Sequence, residues 1–335
     1  MQAIVFTRRG GVTTVRRAER SVPVPGPGEV RVRLRVSGVN PLDAKWRGRA
    51  DDLEYVPHHD GAGVVDAVGP GVDAARTGER VWVWGAGWQR SEGTAQEFVV
   101  LPAELAVPLP DNASFELGAS LGIPALTAHR CLTLGEGGPQ RLGPGALAGR
   151  TVLVAGGAGA VGNAAIQLAR WAGAAVVTTV SSPEKAVLAK AAGADHVVDY
   201  RAEGAAEEIR RFAPAGVDLV AEVNVAQNSA LDRAVLAPGG TVACYATVDG
   251  EKLVLDIREM MMSNFRWQGV FLYAISAPAA ENGVAAVSAA VADGALRCGA
   301  EAGLPLHRYP LDEVVAAQDA ALDPAVIGKP LITLP

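Results

Sequence analysis

Residues 151–180 read as a strand, a glycine turn, a helix and a second strand, and this unit constrains the fold more than any other part of the chain. Apolar residues 151–155 predict a buried parallel strand, and the turn after it has G-x-G-x-x-G spacing. Glycines so spaced allow a tight turn, close approach of the backbone to a pyrophosphate and close packing of the next helix. The first turn of that helix offers free N–H groups to an anion. We therefore predict a dinucleotide site formed by Gly157, Gly159, Ala160, Val161 and Gly162.

The end of the second strand predicts which nucleotide is bound. In an NAD site this strand usually ends with Asp or Glu, which holds the ribose 2′-hydroxyl. Here Ser181, Ser182 and Lys185 follow the strand, and their hydroxyl and ammonium groups suit a 2′-phosphate that a carboxylate would repel. We therefore predict NADPH as the cofactor. Ser182 can also cap a helix that begins at Pro183, with Lys185 solvated, and the two interpretations are compatible.

The composition limits the class of protein. The chain has 335 residues, of which 49% are hydrophobic and 20% charged, enough for one large or two ordinary domains. A net charge of -6 opposes nucleic-acid binding as the main role, since phosphate contacts require a concentrated basic surface. No apolar run reaches the length of a membrane span and residues 1–11 lack a signal-peptide pattern, so we expect a cytoplasmic protein without membrane association. Three scattered cysteines favour a reducing compartment over a disulfide framework.

Strand and helix patterns divide the chain into two domains. Short strands separated by Pro and Gly dominate before the glycine turn, whereas strands alternate with helices after it. We therefore predict an α/β protein in which a doubly wound parallel sheet is inserted into a β-rich domain. The predicted β-rich domain comprises residues 1–122 and 274–335, and the nucleotide-binding domain comprises 123–273. The edge strand 266–273, with apolar residues at its end, predicts a homodimer because pairing with a second copy removes the open edge.

Several longer motifs match one family from end to end. They include VSGVNPLD, HHDGAGVV, GERVWVW, LGIPALTAHR, VLVAGGAGAVG, GADHVVDYR, LAPGGTV and GKPLITLP, in the family's order. The chain resembles the zinc-independent quinone oxidoreductase (zeta-crystallin-like) branch of the medium-chain dehydrogenase/reductase superfamily. The resemblance implies a GroES-like catalytic domain around a Rossmann domain, NADPH-dependent hydride transfer to a quinone or an activated alkene, and a homodimer.

The residues at the metal positions of related enzymes predict that no metal is bound. Catalytic zinc needs three protein ligands, and relatives that bind it supply a Cys, a His and a further Cys or acid. The corresponding positions here resemble Asn40, His59 and Ile123. One imidazole does not hold the metal, and the four closely spaced cysteines of the structural zinc lobe are also missing from the sequence.

Without a Lewis acid, the expected acceptor takes hydride directly, as a quinone or an α,β-unsaturated carbonyl compound does. Its oxygen then gains negative charge and needs a hydrogen-bond donor, for which Asn40 and Lys45 are candidates. The resemblance implies that Thr127 lies near the nicotinamide and Tyr200 beside the 2′-phosphate and adenine. It assigns the ribose and carboxamide to Tyr245, Ala246 and Thr247, and to Val270, Phe271 and Leu272. Each of these residues can instead be ordinary strand or helix packing.

Tryptophans are concentrated in the first domain. Trp84 and Trp88, with His59, are candidates for an apolar wall that contacts a planar substrate. Trp82 and Trp84 lie two apart on one predicted strand, so both can also be core residues. His58 and His59 are equally consistent with a polar pair satisfied inside the fold.

The residues leave two other functions open. An enoyl-thioester reductase would need a basic entrance for the phosphates of its carrier, and Lys45, Arg47 and Arg49 lie close together in the sequence. A cofactor-binding protein with a structural or regulatory role and little turnover would keep the same nucleotide motifs, as the lens crystallins of this family illustrate. Turnover alone separates this last function from the others.

Overall fold

The structure of the chain is a computed structural model that describes residues 1–47, 54–248 and 250–335. The chain divides into two compact units. Unit 1 consists of residues 1–123 and 305–335, and unit 2 consists of residues 124–304.

Strands and helices are both abundant, which confirms the predicted α/β class. The strands are β1 Gln2–Arg9, β2 Val12–Glu19, β3 Glu29–Gly38, β4 Glu54–Tyr55, β5 Asp60–Val68, β6 Arg80–Val83, β7 Phe98–Pro102, β8 Ala106–Pro108, β9 Thr151–Ala155, β10 Ala175–Val180, β11 His196–Asp199, β12 Val217–Glu222, β13 Leu236–Cys244, β14 Arg266–Gly269, β15 Leu306–Pro310 and β16 Lys329–Thr333. The α-helices are α1 Pro41–Trp46, α2 Phe115–Gly118, α3 Gly122–Leu132, α4 Ala160–Trp171, α5 Pro183–Ala191, α6 Ala205–Phe212, α7 Val225–Val235, α8 Ile257–Ser263, α9 Ala277–Ala292 and α10 Val314–Leu322. None of the helices in the described residues combines the length and apolar character needed to cross a bilayer.

Unit 1 is the β-rich domain predicted from the sequence. Its larger sheet has the order β15-β16-β3-β5-β6-β8, with β7 also paired to β3, and a smaller sheet has the order β2-β1-β4. Along β3, Val30, Val32 and Leu34 are buried in a core that Val81 and Leu101 also join. Burial at every second residue is what a strand with one buried face requires.

Unit 2 contains the predicted doubly wound sheet. Its strands are parallel and have the order β11-β10-β9-β12-β13-β14. The chain order runs outward in both directions from β9, so it reverses between β9 and β12. In such sheets ligands bind beyond the carboxyl ends of the strands at this switch point.

The second domain boundary differs from the predicted one, because residues 274–304 belong to unit 2. Polar side chains on one face of α4 hold this segment. Hydrogen bonds join the side chains of Asn163, Gln167 and Trp171 to Ala302, Arg297 and Asp293, respectively. Their spacing of four residues places all of them along one stripe of the helix.

The edge of the parallel sheet also differs in extent from the predicted strand. β14 is the edge strand, but it ends at Gly269 instead of continuing to residue 273. Residues 270–272 therefore follow the edge strand and do not extend it.

Two buried carboxyl groups meet near the switch point. Glu222, the last residue of β12, and Asp232 of α7 are 0% and 1% exposed, and their carboxyl groups interact with each other. The backbone N–H of Asn224 and the side-chain amide of Asn228 also donate to Glu222. Burial raises the pKa of both carboxyl groups, and the charge of Glu222 raises that of Asp232 further. Burial beside Glu222 therefore favours the protonated form of Asp232, whose O–H can donate to Glu222.

Replacing Asp232 with Asn should remove part of the pH dependence of stability. The raised pKa of Asp232 gives a stabilisation that is complete below the ordinary carboxyl pKa of about 4 and is lost as the pH rises through the folded-state value. Asn does not ionise and can donate to Glu222. As the pH rises across that range, the variant's free energy of unfolding should therefore increase relative to that of the wild type by about 1.4 kcal/mol for each pH unit.

Urea unfolding of Asp232→Asn and wild type at about pH 5 and about pH 8 measures this difference. A difference between the two proteins that is the same at both pH values would contradict the raised pKa of Asp232.

Candidate functional site

The turn between β9 and α4 has the form that the glycine spacing predicts, with a correction to the role of its first glycine. The positive φ of 72° falls on Gly156, so Gly156 rather than Gly157 makes the tight turn. A Cβ on Gly157 would overlap with the Thr178 hydroxyl group, so this glycine lets the turn lie against β10. A Cβ on Gly162 would overlap with the Gly156 carbonyl oxygen, so Gly162 brings the first turn of α4 onto the glycine turn.

The start of α4 fits a pyrophosphate. Gly159 is the N-cap residue and has no capping side chain. A Cβ at Gly159 would meet the Gly156 carbonyl oxygen at 3.4 Å, an ordinary contact, so packing of the protein does not require glycine there. The missing side chain leaves room for a ligand beside Ala160 and Val161, whose N–H groups have no partner within the helix. The backbone donors and the helix dipole therefore suit a phosphate.

The residues after β10 form a compact polar cluster. Lys185 Nζ donates to the Ser181 hydroxyl at 3.2 Å, and the Ser182 hydroxyl accepts from the Lys185 N–H at 3.3 Å. Ser182 is thus the N-cap residue of α5, as its alternative interpretation predicts. The Tyr200 N–H bonds to the Val180 carbonyl at 3.3 Å, so the end of β11 lies beside this cluster.

Arg201 supplies a cation that was not predicted. Its guanidinium lies 5.8 Å from the centroid of the Tyr200 ring, which is 42% exposed. The available signal was the basic residue directly after Tyr200 in the sequence DYR. Lys185 and Arg201 therefore follow two adjacent strands of the sheet.

A cavity of about 790 Å³ lies beyond the carboxyl ends of β13 and β14. Its lining includes Tyr245, Ala246, Thr247, Val270 and Phe271. Residues from two segments far apart in the sequence, predicted to hold the ribose and carboxamide, are thus brought together. Leu272 differs, because its side chain is 6% exposed and does not line the cavity.

Unit 1 contains a chain of buried ionic and amide groups. Lys329 Nζ donates to Asn40 Oδ1 at 2.6 Å, and Asn40 Nδ2 donates to Asp60 Oδ2 at 2.8 Å. The Ile123 N–H donates to the same carboxylate oxygen at 2.9 Å. Burial lowers the pKa of Lys329 and raises that of Asp60 to about 6, while the opposite charge of the other group limits both shifts.

Asp43 connects this chain to His59. Its carboxylate accepts from the N–H at the start of α1 at 2.7 Å and lies 2.9 Å from His59 Nδ1. Burial alone would raise the pKa of Asp43, but the His59 hydrogen bond and the field of His58 lower it overall. His58 is a separate buried group, hydrogen-bonded to Ser37 and Gln318, and burial lowers its pKa to about 4. His58 therefore matches the interpretation as a satisfied core residue.

This network restricts the donor role expected of Asn40. Its amide oxygen is bound by Lys329 and one of its two amide hydrogens by Asp60, so one N–H is left for another acceptor. Lys45, in contrast, is exposed on α1. Thr127 lies in unit 2 on α3 and is 6% exposed.

The aromatic side chains of unit 1 separate into a cluster and a core residue. The Trp46 ring centroid lies 5.3 Å from that of Trp88 and 5.6 Å from that of His59. Trp82 is fully buried in the core. Trp84, directly after β6, is half-buried, and no ring contact within the described residues joins it to the cluster. The aromatic cluster is therefore Trp46, Trp88 and His59.

Comparison with known proteins identifies the family. Residues 26–111 match the family described as "Alcohol dehydrogenase GroES-like domain", and residues 160–297 match "Zinc-binding dehydrogenase". The quinone oxidoreductase of Rattus norvegicus is 32% identical over 258 residues, which cover 74% of this chain and 75% of the relative. The chain belongs to the quinone oxidoreductase branch of the medium-chain dehydrogenase/reductase superfamily. The resemblance read from its motifs is confirmed.

Solved structures show the same fold. An NAD-dependent alcohol dehydrogenase has a TM-score of 0.84 and 29% identity over the full length of both chains. Mycobacterial Rv1454c, solved as a complex with NADPH, has a TM-score of 0.80 and 30% identity, again over both full chains. Among curated proteins, the synaptic vesicle membrane protein VAT-1 homologue of Rattus norvegicus is 34% identical over 251 residues, 73% of this chain. The chain spans 59% of the length of that relative.

The name of one matched family implies zinc, and the residues present do not fit that metal. The Asn40 amide is bound by Lys329 and Asp60, and Ile123 contributes only a backbone N–H, which leaves the imidazole of His59. No three His, Cys, Asp or Glu side chains within residues 1–47, 54–248 and 250–335 are grouped to hold a metal ion. No step of the reaction proposed below passes through a metal.

Removing Lys329 should destabilise unit 1 unless Asp60 is neutralised as well. Lys329→Met leaves a buried carboxylate without its cation, a change that typically costs about 3 to 5 kcal/mol. Adding Asp60→Asn removes the uncompensated charge and keeps an acceptor for Asn40. The double variant should therefore recover most of the lost stability.

The free energies of unfolding of wild type, both single variants and the double variant form a double-mutant cycle. Purely additive losses in this cycle would show that the buried ionic chain is not the source of the stability.

Proposed function

We propose that this protein is an NADPH-dependent reductase that transfers a hydride to a quinone or to an α,β-unsaturated carbonyl compound. The observation that carries the proposal is the cluster of Ser181, Ser182 and Lys185 at the end of β10. It offers an ammonium and hydroxyl groups to a 2′-phosphate, where an NAD site has a carboxylate for the 2′-hydroxyl. The NADPH complex of the similarly folded mycobacterial Rv1454c supports the same cofactor.

Bound NADPH supplies a hydride, and the acceptor takes one proton from solvent, so NADPH, acceptor and H⁺ become NADP⁺ and the reduced acceptor. The protein positions the nucleotide. The glycine turn and the start of α4 hold the pyrophosphate, and the main chain at residues 245–247, 270 and 271 holds the ribose and carboxamide. Thr127 contacts the nicotinamide.

Negative charge that develops on the acceptor oxygen needs a hydrogen-bond donor. The second amide N–H of Asn40 is one such donor, and the Lys329 bond to the Asn40 oxygen strengthens it by polarising the amide. The exposed Lys45 is another. Trp88, together with His59 and Trp84, contacts the planar part of the acceptor. The residues of this chain thus replace the charge stabilisation that a metal supplies in related enzymes.

Removing the ammonium at the 2′-phosphate position should weaken NADPH binding selectively. We expect Lys185→Ala to reduce the NADPH affinity by about 1 to 2 kcal/mol and to leave the NADH affinity nearly unchanged, because only NADPH carries the 2′-phosphate. Fluorescence titration with both nucleotides measures these affinities.

Lys190→Ala is the matched control, because Lys190 is an exposed lysine on the same helix. Equal affinities of the wild type for NADPH and NADH would rule out the assigned cofactor preference.

The aromatic cluster should influence bulky acceptors. Trp88→Ala is expected to raise the Michaelis constant for a naphthoquinone severalfold more than that for benzoquinone, because it removes apolar contact area from the larger ring. Steady-state NADPH oxidation with both quinones gives the two constants. Trp171→Phe, on α4 in unit 2, is the control for a general effect of losing an indole. If Trp88→Ala raises the Michaelis constants for both quinones by the same factor, the Trp88 ring only packs within the protein and does not contact the acceptor.

The other two functions differ from this proposal in measurable ways. An enoyl-thioester reductase would oxidise NADPH faster with a crotonyl thioester than with any quinone. Its basic entrance has limited support, since Arg47 is bound to the carboxylate of Asp319 and Arg49 lies outside the described residues. A structural or regulatory protein would bind NADPH and oxidise it no faster than buffer does.

We also propose that two copies of the chain form a homodimer through the edge of the parallel sheet. β14 leaves backbone groups unpaired on its outer side, and Met261, Met262 and Phe271 near it are 73%, 77% and 45% exposed. Pairing with a second copy would cover both. Sedimentation at micromolar concentration should give twice the chain mass, whereas a monomer with full activity would refute the dimer.

A further inference from the structure

The cavity of about 790 Å³ beyond β13 and β14 contains an unexplained cation. Arg130, near the end of α3, is the only charged side chain among the described residues that line it. The neighbouring wall is largely apolar and includes Val225, Val270 and Ile275. A single charge in an apolar cavity of this size is typical of a site that orients a charged ligand.

The Arg130 guanidinium makes no ion pair, hydrogen bond or ring stack within residues 1–47, 54–248 and 250–335. Burial and, to a lesser extent, the charge of Arg130 together lower the pKa of the adjacent His129 to about 4, so this imidazole is neutral. The carboxyl groups of Glu222 and Asp232 are buried, and Glu222 accepts hydrogen bonds from the Asn224 N–H and the Asn228 side-chain amide, so neither carboxyl group pairs with Arg130. Arg130 is therefore a half-buried cation without a counter-charge among the described residues, and its guanidinium is available to an anionic ligand.

The position of the cavity favours substrate over the phosphates of the nucleotide. The pyrophosphate site lies after β9, and the sheet continues β9-β12-β13-β14. Strands are about 4.8 Å apart, so the cavity over β13 and β14 begins about 10 Å to the side of the glycine turn. The cavity that Arg130 lines therefore lies to the side of the pyrophosphate site, where residues 245–247, 270 and 271 are proposed to hold the uncharged ribose and carboxamide.

We propose that Arg130 binds the oxyanion of an acidic acceptor, a carboxylate or a phosphate, while Val270, Phe271 and Ile275 contact its apolar part. The guanidinium suits this task because its fork of N–H donors matches the two oxygens of a carboxylate or phosphate. The inference rests on the proposed reductase function and narrows its substrate class to acceptors that carry an anionic group. Arg130 is accordingly a specificity residue, and it takes no part in hydride transfer.

A matched pair of acceptors tests the proposal. 3-Benzoylacrylate and its methyl ester contain the same enone and differ in the carboxylate. The wild type should have the higher kcat/KM for the acid, and Arg130→Ala should reduce kcat/KM for the acid about tenfold to a hundredfold more than for the ester. The kcat/KM of Arg130→Lys for the acid should lie between the values of the wild type and Arg130→Ala, because lysine keeps the positive charge but lacks the forked N–H donors of arginine. Arg141→Ala, at an exposed arginine outside the cavity lining, should behave as the wild type.

Direct binding separates this proposal from the proposed function. Calorimetric titration of the NADP⁺-loaded protein with 3-benzoylpropionate, the reduced product, needs no turnover. Weaker binding to Arg130→Ala than to wild type would support the site even if neither enone is reduced. If Arg130→Ala lowers kcat/KM for the acid and the ester by the same factor, the proposal is overturned. The same holds if a weaker NADPH affinity of Arg130→Ala accounts for its whole loss of kcat/KM, because either result would assign Arg130 to the nucleotide. Unchanged binding and turnover ratios in Arg130→Ala would overturn it as well.

Discussion

The contact between the first turn of α4 and the glycine turn is the constraint on which the nucleotide half of the protein depends. Gly162 and Gly156 approach so closely that no side chain fits between them, and Gly157 is pressed against β10 in the same way. These contacts fix the direction of α4 at the switch point between β9 and β12. The free N–H groups of the helix therefore point at the place proposed for the pyrophosphate, and the polar cluster after β10 follows on the next strand.

Unit 1 depends on a different interaction, the buried series of hydrogen bonds that runs from Lys329 through Asn40 to Asp60. Burying an ammonium and a carboxylate is rarely the most stable solution, since apolar residues of similar volume often serve as well. The pair instead fixes the Asn40 amide in one orientation, with a defined N–H left over. Lys329 therefore places a buried ammonium group directly beside the Asn40 amide.

The predictable features are those that short sequence patterns encode. The glycine turn, the parallel sheet, the β-rich unit and the polar cluster of Ser181 and Lys185 follow from periodicity, glycine spacing and residue type. Lys329 and Asn40 are 289 residues apart, and no local pattern reveals that they meet. The same applies to the carboxyl pair of Glu222 and Asp232, which depends on how α7 packs on the sheet. The attachment of residues 274–304 to unit 2 depends on a polar stripe on α4 that resembles ordinary helix surface, so no sequence pattern reveals it.

The most direct test of the central claim follows the hydrogen itself. NADPH deuterated at C4 of the nicotinamide, prepared separately with the label on each face, is incubated with the protein and an enone, and the saturated product is examined by mass spectrometry. Direct transfer to the acceptor predicts a single deuterium in the product from one of the two labelled forms, at the carbon β to the carbonyl group. A product without deuterium from either form, or NADPH oxidation no faster than in the absence of the protein, would contradict the account.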